Sequence, residues 1–291
     1  MSRVEPGVRP DADDREWNGV EPMSADSALD VGVRQLLVHE DLDQGVRLQR
    51  RVWGDAYRDS VPASLLKISQ KVGGLAAGAF LESGEMVGFV YGLTGVDRDC
   101  RIIHWSHMLA VLPAYRNHGV GRRLKLYQRE YLRGLGVEMM YWTFDPLVAR
   151  NAHLNVNRLG VRLIEYVPDM YADTGSDLHA FGTDRFIAEW PVNGRAADRE
   201  GSFPTIAGGI ADGEGAPLHD GGDSLNGDHP PVVRVEIPSD AESMRGDSLV
   251  ELRRWRAATR RAFLDLMRSG YEITGFQRSG GRSFYVLARH G

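Results

Sequence analysis

A glycine-rich segment in the middle of the chain has the residue types of an anion-binding loop. Residues 116–121 read RNHGVG, and Arg122 and Arg123 follow directly. Backbone N–H groups at the start of a helix bind anions, and the helix dipole adds to the attraction. Glycine lets the backbone come close to such a ligand because it has no side chain. The segment therefore predicts a site for a phosphate group.

The elements on either side of the loop are those that such a site needs. Residues 102–111 (IIHWSHMLAV) predict a strand that ends directly before it. Residues 121–133 carry Leu124, Tyr127 and Tyr131 at helical spacing, and two glycines end this helix. The pattern is thus a strand, a tight turn and an amphipathic helix, which is the context in which a glycine-rich loop binds phosphate.

This combination, with L-A-V-x-P over 109–113 and R-x-x-G-x-G over 116–121, resembles the acyl-CoA signature of the GNAT superfamily of N-acyltransferases. The resemblance covers about residues 31–190. It implies acetyl-CoA or another acyl-CoA as co-substrate, with its pyrophosphate in the loop. The thioester would lie in the gap where the strands over 102–111 and 137–144 splay apart. The implied binding residues are Leu109, Ala110, Val111, Arg116, Asn117, His118, Gly119, Val120, Gly121, Arg122 and Asn151.

Enzymes of this family let an amine attack the thioester directly, so the amine must lose a proton. A histidine titrates near neutral pH and suits this task. Strict alternation places His107 on the same strand face as Leu109 and Val111, unless a bulge intervenes. We predict His107 as the base, with a packed core histidine as the other interpretation. His104 would face the opposite way, and Asp145, after the second splayed strand, is the alternative base.

The departing thiolate needs a proton, and the family often supplies it from a tyrosine on the helix after the second splayed strand. The matching position here is Val156, so the sequence departs from the pattern. Tyr166 is the predicted acid instead, and Tyr171 is the alternative. Either could equally be a core aromatic. Arg150 could bind a substrate carboxylate or lie in solvent.

Four segments follow from composition and periodicity. Residues 1–30 predict a disordered tail, 31–192 the GNAT core, 193–230 a Gly/Asp-rich linker, and 231–291 a β-α-β-β subdomain. The fold class is α/β, with a mixed twisted sheet whose central strands splay. The last segment repeats the element order of 137–190. Near the start of the core, Asp41 is predicted to cap a helix.

Composition excludes several function classes. Hydrophobic residues make up 42% of the 291 residues, yet no apolar run approaches the roughly 18–20 needed to cross a bilayer. The single cysteine allows no internal disulfide, and no secretion signal is visible, so we expect a cytoplasmic protein with no membrane contact. Nine scattered histidines and one cysteine predict no metal site.

The charge is unevenly distributed. Segments 1–30 and 194–230 each carry −5, so the total of −5 leaves +5 for the rest. That excess suits a small polyanionic ligand and is too weak to indicate nucleic acid.

The predicted function is transfer of an acyl group, acetyl by default and succinyl as an alternative, from CoA to a primary amine of a small molecule such as an amino acid. Two rival functions stay open. One is a non-catalytic CoA-binding sensor or interaction module with the GNAT fold. The other is a protein acyltransferase that acts on lysine or N-termini. A homodimer is compatible with each of them, and fold alone does not fix the substrate.

Overall fold

A mixed seven-stranded sheet is the frame of the molecule. The computed structural model describes residues 29–172, 182–193, 218–219, 230–244 and 248–289. The strand order in this sheet is β1-β2-β3-β4-β5-β7-β6. Its strands are β1 (Gly32–Gln35), β2 (Leu75–Phe80), β3 (Met86–Val96), β4 (Ile102–Val111), β5 (Met139–Phe144), β6 (Arg162–Val167) and β7 (Arg185–Pro191). All neighbouring strands are antiparallel except β4 and β5.

The helices cover both faces of this sheet. They are α1 (His39–Trp53), α2 (Ala63–Lys71), α3 (Val120–Gly134) and α4 (Ala149–Ala152), the last continued by a π-helical turn over His153–Arg158. Helices α1 and α2 pack with Phe89, Tyr91 and Met108 on one face. Helix α3 packs on the other face through Val120 and Leu124. The amphipathic periodicity of α3 thus buries its apolar stripe against β2 and β3.

The two central strands part soon after they meet. Strands β4 and β5 pair only from Ile103 and Met139 to Trp105 and Tyr141. Beyond this short ladder β4 continues to Val111 and β5 to Phe144, and within this described stretch they form no further pairs with each other. This confirms the predicted mixed sheet with splayed central strands.

A second, three-stranded sheet forms the C-terminal part, as the sequence predicts. Its elements are β8 (Val232–Ile237), α5 (Leu249–Arg268), β9 (Tyr271–Ser279) and β10 (Arg282–Arg289), and its strand order is β8-β10-β9. In both sheets the unit β-α-β-β places its last strand between the other two. The second sheet therefore repeats the topology of β5, α4, β6 and β7.

The two sheets share one hydrophobic core. Phe186 of β7 lies between Phe263 of α5 and Tyr285 of β10, with ring centroids 4.8 and 5.5 Å away. All three rings are buried. Edge-to-face packing of such rings contributes beyond the area that they bury. The C-terminal subdomain is thus packed on the β5–β7 half of the core.

Of the predictions for individual segments, the helix cap at Asp41 is wrong, and the tail and linker boundaries stay untested. Asp41 does not cap α1, because Val38 occupies the N-cap position. Asp41 is instead buried and accepts hydrogen bonds from the guanidinium of Arg34 on β1. The predicted tail over 1–30 and linker over 193–230 lie almost wholly outside the described residues, so those boundaries stay predictions.

A buried ion pair joins the C-terminal subdomain to the end of β5. Arg256 of α5 donates from Nη2 to both carboxylate oxygens of Asp145, at 2.8 and 2.7 Å. Both side chains are buried. The backbone N–H of Leu147 also donates to this carboxylate, and Arg185 lies 3.6 Å from it. Removing one member of such a pair leaves an uncompensated buried charge.

We expect Arg256→Met to lower the free energy of unfolding by about 3 kcal/mol, since Asp145 would keep its charge in a buried site. Chemical denaturation of the full chain measures this. Arg254→Met is the matched control, because Arg254 is 76% exposed and lies on the same helix. Its stability should stay within about 0.5 kcal/mol. Equal stability of both variants would contradict the anchoring role of Arg256.

Candidate active site

The predicted phosphate loop lies between β4 and α3. Asn117 and Gly119 have φ angles of 66° and 75°, so the chain turns sharply through left-handed conformations before Val120 begins α3. The first N–H groups of α3 have no acceptor within the helix. A Cβ atom at Gly119 would meet nothing within 4 Å, which leaves the backbone exposed to a ligand. These are the features of an anion site.

A cavity of about 590 Å³ opens at this loop, a size typical of ligand pockets. We call it the loop cavity. Of the implied binding residues all except His118 line it: Leu109, Ala110, Val111, Arg116, Asn117, Gly119, Val120, Gly121, Arg122 and Asn151. Arg158 and Arg278 line it as well. Arg278 belongs to β9 of the second sheet, so no local pattern could have indicated it.

The arginines of the loop have different surroundings. Arg116 donates from Nε to the carbonyl of Val111 at 3.2 Å, which folds its side chain back on the loop. Arg122 lines the loop cavity. Arg123 points away, because its guanidinium donates to the carbonyls of Leu29 and Val31. Arg123 therefore does not add its charge to the cavity.

A β-bulge sets the direction of His107. Tyr91 pairs with Met108 and Leu93 with Trp105, so Ser106 and His107 both lie opposite Gly92. Such a bulge reverses the alternation of side chains beyond it. His107 contacts the ring of Tyr91, on the α1–α2 face, with centroids 6.2 Å apart. Leu109 lies on the α3 face instead. Strict alternation would put His107 and Leu109 on one face, and this expectation is wrong. The reason is the β-bulge, the stated exception to the alternation.

His107 faces a second cavity, which we call the strand cleft. It lies where β4 and β5 part, and it shares Trp53, Leu109, Arg150, Asn151 and Leu154 with the loop cavity. Its other lining residues are Tyr57, Asp59, Ser106, His107, Met108, Lys125, Trp142, Thr143, Phe144, Asp145, Val148, Asn155, Tyr171, Arg185 and Glu242. The two cavities are thus adjacent and share part of their walls.

Burial lowers the pKa of His107 below its usual value, and the nearby carboxylate of Asp59 opposes part of this shift. The imidazole is therefore neutral near pH 7 and able to accept a proton. Burial also raises the pKa of Tyr57 to about 12, with a contribution from Asp59. Tyr57 thus stays protonated.

Two predicted catalytic residues, Asp145 and Tyr166, are held by hydrogen bonds to other parts of the protein. Asp145 lines the strand cleft, but its carboxylate is held by Arg256 and by the N–H of Leu147. These bonds engage both carboxylate oxygens of Asp145. Tyr166 does not line either cavity. Its hydroxyl donates to Asp184 at 2.6 Å, and burial together with that carboxylate strongly raises its pKa.

Tyr171 is better placed than Tyr166. It lines the strand cleft, and its hydroxyl lies 2.8 Å from Oγ1 of Thr143 on β5. The guanidinium of Arg185 lies over its ring, 5.4 Å from the centroid. Tyr171 and Arg185 therefore line the strand cleft together with His107.

A carboxylate from the C-terminal subdomain also reaches the site. Glu242 lies between β8 and α5, and it forms a two-point ion pair with Arg150, with one bond of 3.0 Å. It also lies 3.9 Å from the guanidinium of Arg116. Both arginines line the loop cavity. Glu242 thus offsets positive charge beside the phosphate loop, and nothing local in the sequence marks it for this role.

A comparison with known protein families identifies the domain that contains this site. Residues 42–160 match the model of the Acetyltransferase (GNAT) family. These residues form a GNAT acetyltransferase domain. The matched range runs from α1 to the turn before β6, and it holds the loop, β4, β5 and α4.

Several solved structures resemble the chain. The ribosomal-protein-S18-alanine N-acetyltransferase from Escherichia coli is 20% identical, with 56% of this chain and 95% of that chain covered and a TM-score of 0.43. The NatC complex bound to Gag peptide and CoA is 15% identical, with 57% of this chain and 100% of that chain covered and a TM-score of 0.46. The structure of yncA from Salmonella typhimurium with its cofactor acetyl-CoA is 17% identical, with 57% of this chain and 96% of that chain covered and a TM-score of 0.44. No curated protein matches the chain.

Two further features concern only the part of the chain that the structure describes. No helix there is long and apolar enough to cross a membrane. In the same residues no group of His, Cys, Asp and Glu side chains is arranged to hold a metal ion.

Substitution of Gly121 tests the phosphate site of the GNAT domain. A Cβ at this position would only touch side chains, the nearest being Leu154 at 3.6 Å, so the domain should fold with a larger residue. Gly121→Asp adds a negative charge where the phosphate would bind, and should weaken acetyl-CoA binding at least tenfold in calorimetry. Gly121→Ala is the control for size. Equal affinity of Gly121→Asp and the natural protein would remove the loop from the binding site.

Substitution of Glu242 should act in the opposite direction. Glu242→Gln removes the carboxylate that competes with phosphate for Arg116 and Arg150. We expect acetyl-CoA to bind about two- to fivefold more tightly, the range for a partly exposed ion pair. The control is Glu236→Gln, whose carboxylate pairs with Arg282 on the second sheet. Weaker binding by Glu242→Gln would show that Glu242 supports the ligand instead.

Proposed function

We propose that this protein transfers an acyl group, acetyl by default, from CoA to the primary amine of a small molecule, with an amino acid as the leading acceptor. The observation that carries the proposal is that two cavities lie side by side with shared walls. The loop cavity lies at a helix start suited to phosphate, and it borders the strand cleft that His107 lines. A long ligand with a phosphate at one end and a reactive group at the other fits this arrangement.

The donor side can hold CoA through backbone and arginine groups. The N–H groups at the start of α3 suit the pyrophosphate, and Arg122, Arg158 and Arg278 surround it with positive charge. Because β5 has moved away from β4, the backbone of Leu109–Val111 can pair with the amide groups of the pantetheine arm. The thioester then lies in the strand cleft.

The acceptor side carries charges of both signs. Asp59 attracts an ammonium group, and neutral His107 takes a proton from it, directly or through a water. Arg185 lines the same cleft and can bind a carboxylate. A substrate with an ammonium and a carboxylate a short distance apart matches this pattern, and an amino acid has both. Succinyl-CoA stays an alternative donor, since the same arginine suits a carboxylate on the acyl group.

The two rival functions differ in what they need. A protein acyltransferase needs an open groove for a peptide, whereas Glu242 of the C-terminal subdomain occupies part of the wall of the strand cleft. A CoA-binding sensor needs the loop cavity alone, and the polar wall around His107 would have no role in it. The charged cleft therefore favours a small acceptor.

A thiol-release assay tests the proposal. Acetyl-CoA and succinyl-CoA are each offered with amino acids and with the same amines lacking the carboxylate. The amino acids should react at least tenfold faster, because only they can bind Arg185. CoA binding without thiol release from any amine would indicate the sensor. Faster reaction with peptide N-termini or lysine peptides would indicate the protein acyltransferase.

The role of His107 gives a separate prediction. His107→Ala should lower turnover by about 10²–10⁴-fold, the usual effect of losing a general base, with little change in acetyl-CoA affinity. Because a base must be neutral, the rate should fall as pH decreases through the pKa of His107, which burial places below 6.5. The control is His39→Ala, at an exposed position of α1. Unchanged turnover would point to a packing role against Tyr91.

A further inference from the structure

A buried lysine lies under the point where β4 and β5 diverge. Lys125 of α3 is 1% exposed, and it lines the strand cleft. Its Nζ lies 3.7 Å from the ring centroid of Trp142 on β5 and 2.8 Å from Oγ of Ser106 on β4. In the described part of the chain no carboxylate forms an ion pair with it. A buried lysine without such a partner is rare and calls for an explanation.

The donor and acceptor of each hydrogen bond beyond Lys125 can be assigned. The hydroxyl of Thr94 donates to the carbonyl of Gly73 at 2.6 Å, so it must accept from Nδ1–H of His104 at 2.9 Å. Nε2 of His104 is then an acceptor, and it receives the amide N–H of Gln128 at 3.0 Å. The oxygen of that amide accepts the hydroxyl of Ser106 at 2.8 Å. Each hydrogen bond of this network therefore has a defined donor and a defined acceptor.

This order of donors and acceptors leaves the nitrogen lone pair of Lys125 without a hydrogen bond in the network. The only proton of the Ser106 hydroxyl goes to Gln128, so Ser106 can accept from Lys125 but cannot donate back to it. The nitrogen lone pair of a neutral Lys125 is therefore not engaged by the network. Since Lys125 lines the strand cleft, that lone pair is available to a group bound there.

The surroundings of Lys125 favour the neutral amine. Burial lowers its pKa well below the ordinary value. His104, the nearest titratable group of the network, has its pKa lowered to about 3 by its own burial and by Lys125, so it adds no charge. The charged groups that line the rest of the cleft are Asp59, Asp145, Glu242, Arg150 and Arg185. The face of Trp142 can stabilise an ammonium that forms transiently above it.

We propose that Lys125 carries the proton of the attacking amine to the sulfur of CoA. The amine nitrogen bonds to the carbonyl carbon, the C–S bond breaks, and its electron pair goes to sulfur. The nitrogen gives one proton to the amine of Lys125, which passes it to the thiolate. CoA leaves as a thiol, and Lys125 is neutral again, so no further reactant is needed. His107 removes only the earlier proton, which turns the ammonium into an amine. This assignment rests on the proposed function.

The experiment uses CoA itself and needs no acceptor. Thiolate absorbance of bound CoA is titrated against pH, with desulfo-CoA as the reference, in the natural protein and in Lys125→Met. When the thiol proton is shared with the amine of Lys125, the positive charge beside the sulfur stabilises the thiolate, so the thiol pKa of bound CoA should be at least about one unit lower in the natural protein than in Lys125→Met. Lys67→Met, at an exposed position of α2, should behave like the natural protein.

Each outcome of this titration decides the matter. Identical thiol titration in the natural protein and Lys125→Met would overturn the role of Lys125, while leaving the CoA site intact. Failure of the natural protein to bind CoA would overturn the proposed function, and this assignment with it. Calorimetry with CoA shows whether Lys125→Met is folded. If it is not, Lys125→Gln keeps a hydrogen-bond donor for Ser106, and it should show the same raised thiol pKa.

Turnover gives a second readout once an acceptor is found. Lys125→Met should lower kcat by about 10²–10⁴-fold, with KM for acyl-CoA changed less than about threefold. A lysine that only packs against Trp142 would alter the unfolding midpoint but neither kcat nor the thiol titration. That pattern would assign Lys125 to stability alone.

Discussion

The parting of β4 and β5 is the constraint on which the other features of this protein depend. A strand pair that opens inside a sheet leaves backbone N–H and C=O groups without partners, and these groups are costly when buried. After Trp105 and Tyr141 both strands therefore need another source of hydrogen bonds. The opening supplies the space for a ligand, and an extended ligand with amide groups can satisfy the exposed edge of β4. The binding site and the irregularity of the sheet are thus the same feature.

Several contacts keep this opening in place. On β4 the bulge at Ser106 and His107 directs one side chain to each face. The close approach of His104 to Gly92 explains why that position is a glycine, since a Cβ there would lie 2.1 Å from the imidazole. On β5 the indole of Trp142 donates to Asn155 in the π-helical turn at 3.0 Å. These contacts involve both strands and the helices behind them, so the opening does not depend on the ligand.

The C-terminal subdomain takes part in the site as well as in the core. It repeats the β-α-β-β topology of β5, α4, β6 and β7, and it buries Phe263 and Tyr285 against Phe186 of β7. From this position it contributes Arg278 to the loop cavity and Glu242 to the strand cleft. Arg256 fixes Asp145 at the end of β5. The same surface that stabilises the fold therefore also sets the charge around the ligand.

The amino-acid sequence by itself determined the features that depend on near neighbours in the chain. The spacing of Gly119 and Gly121 after a strand end indicates the phosphate loop, because a tight turn and a helix start are local structures. Periodicity likewise predicts β4, α3 and the C-terminal β-α-β-β unit. Only the tertiary structure decided where individual side chains point. The bulge moved His107 to the other face, and Arg256, 111 positions away, engaged Asp145. The packing of α3 on the sheet buries Lys125 under the cleft. Local propensities carry no information about such contacts, because their partners meet only when the sheets and helices pack.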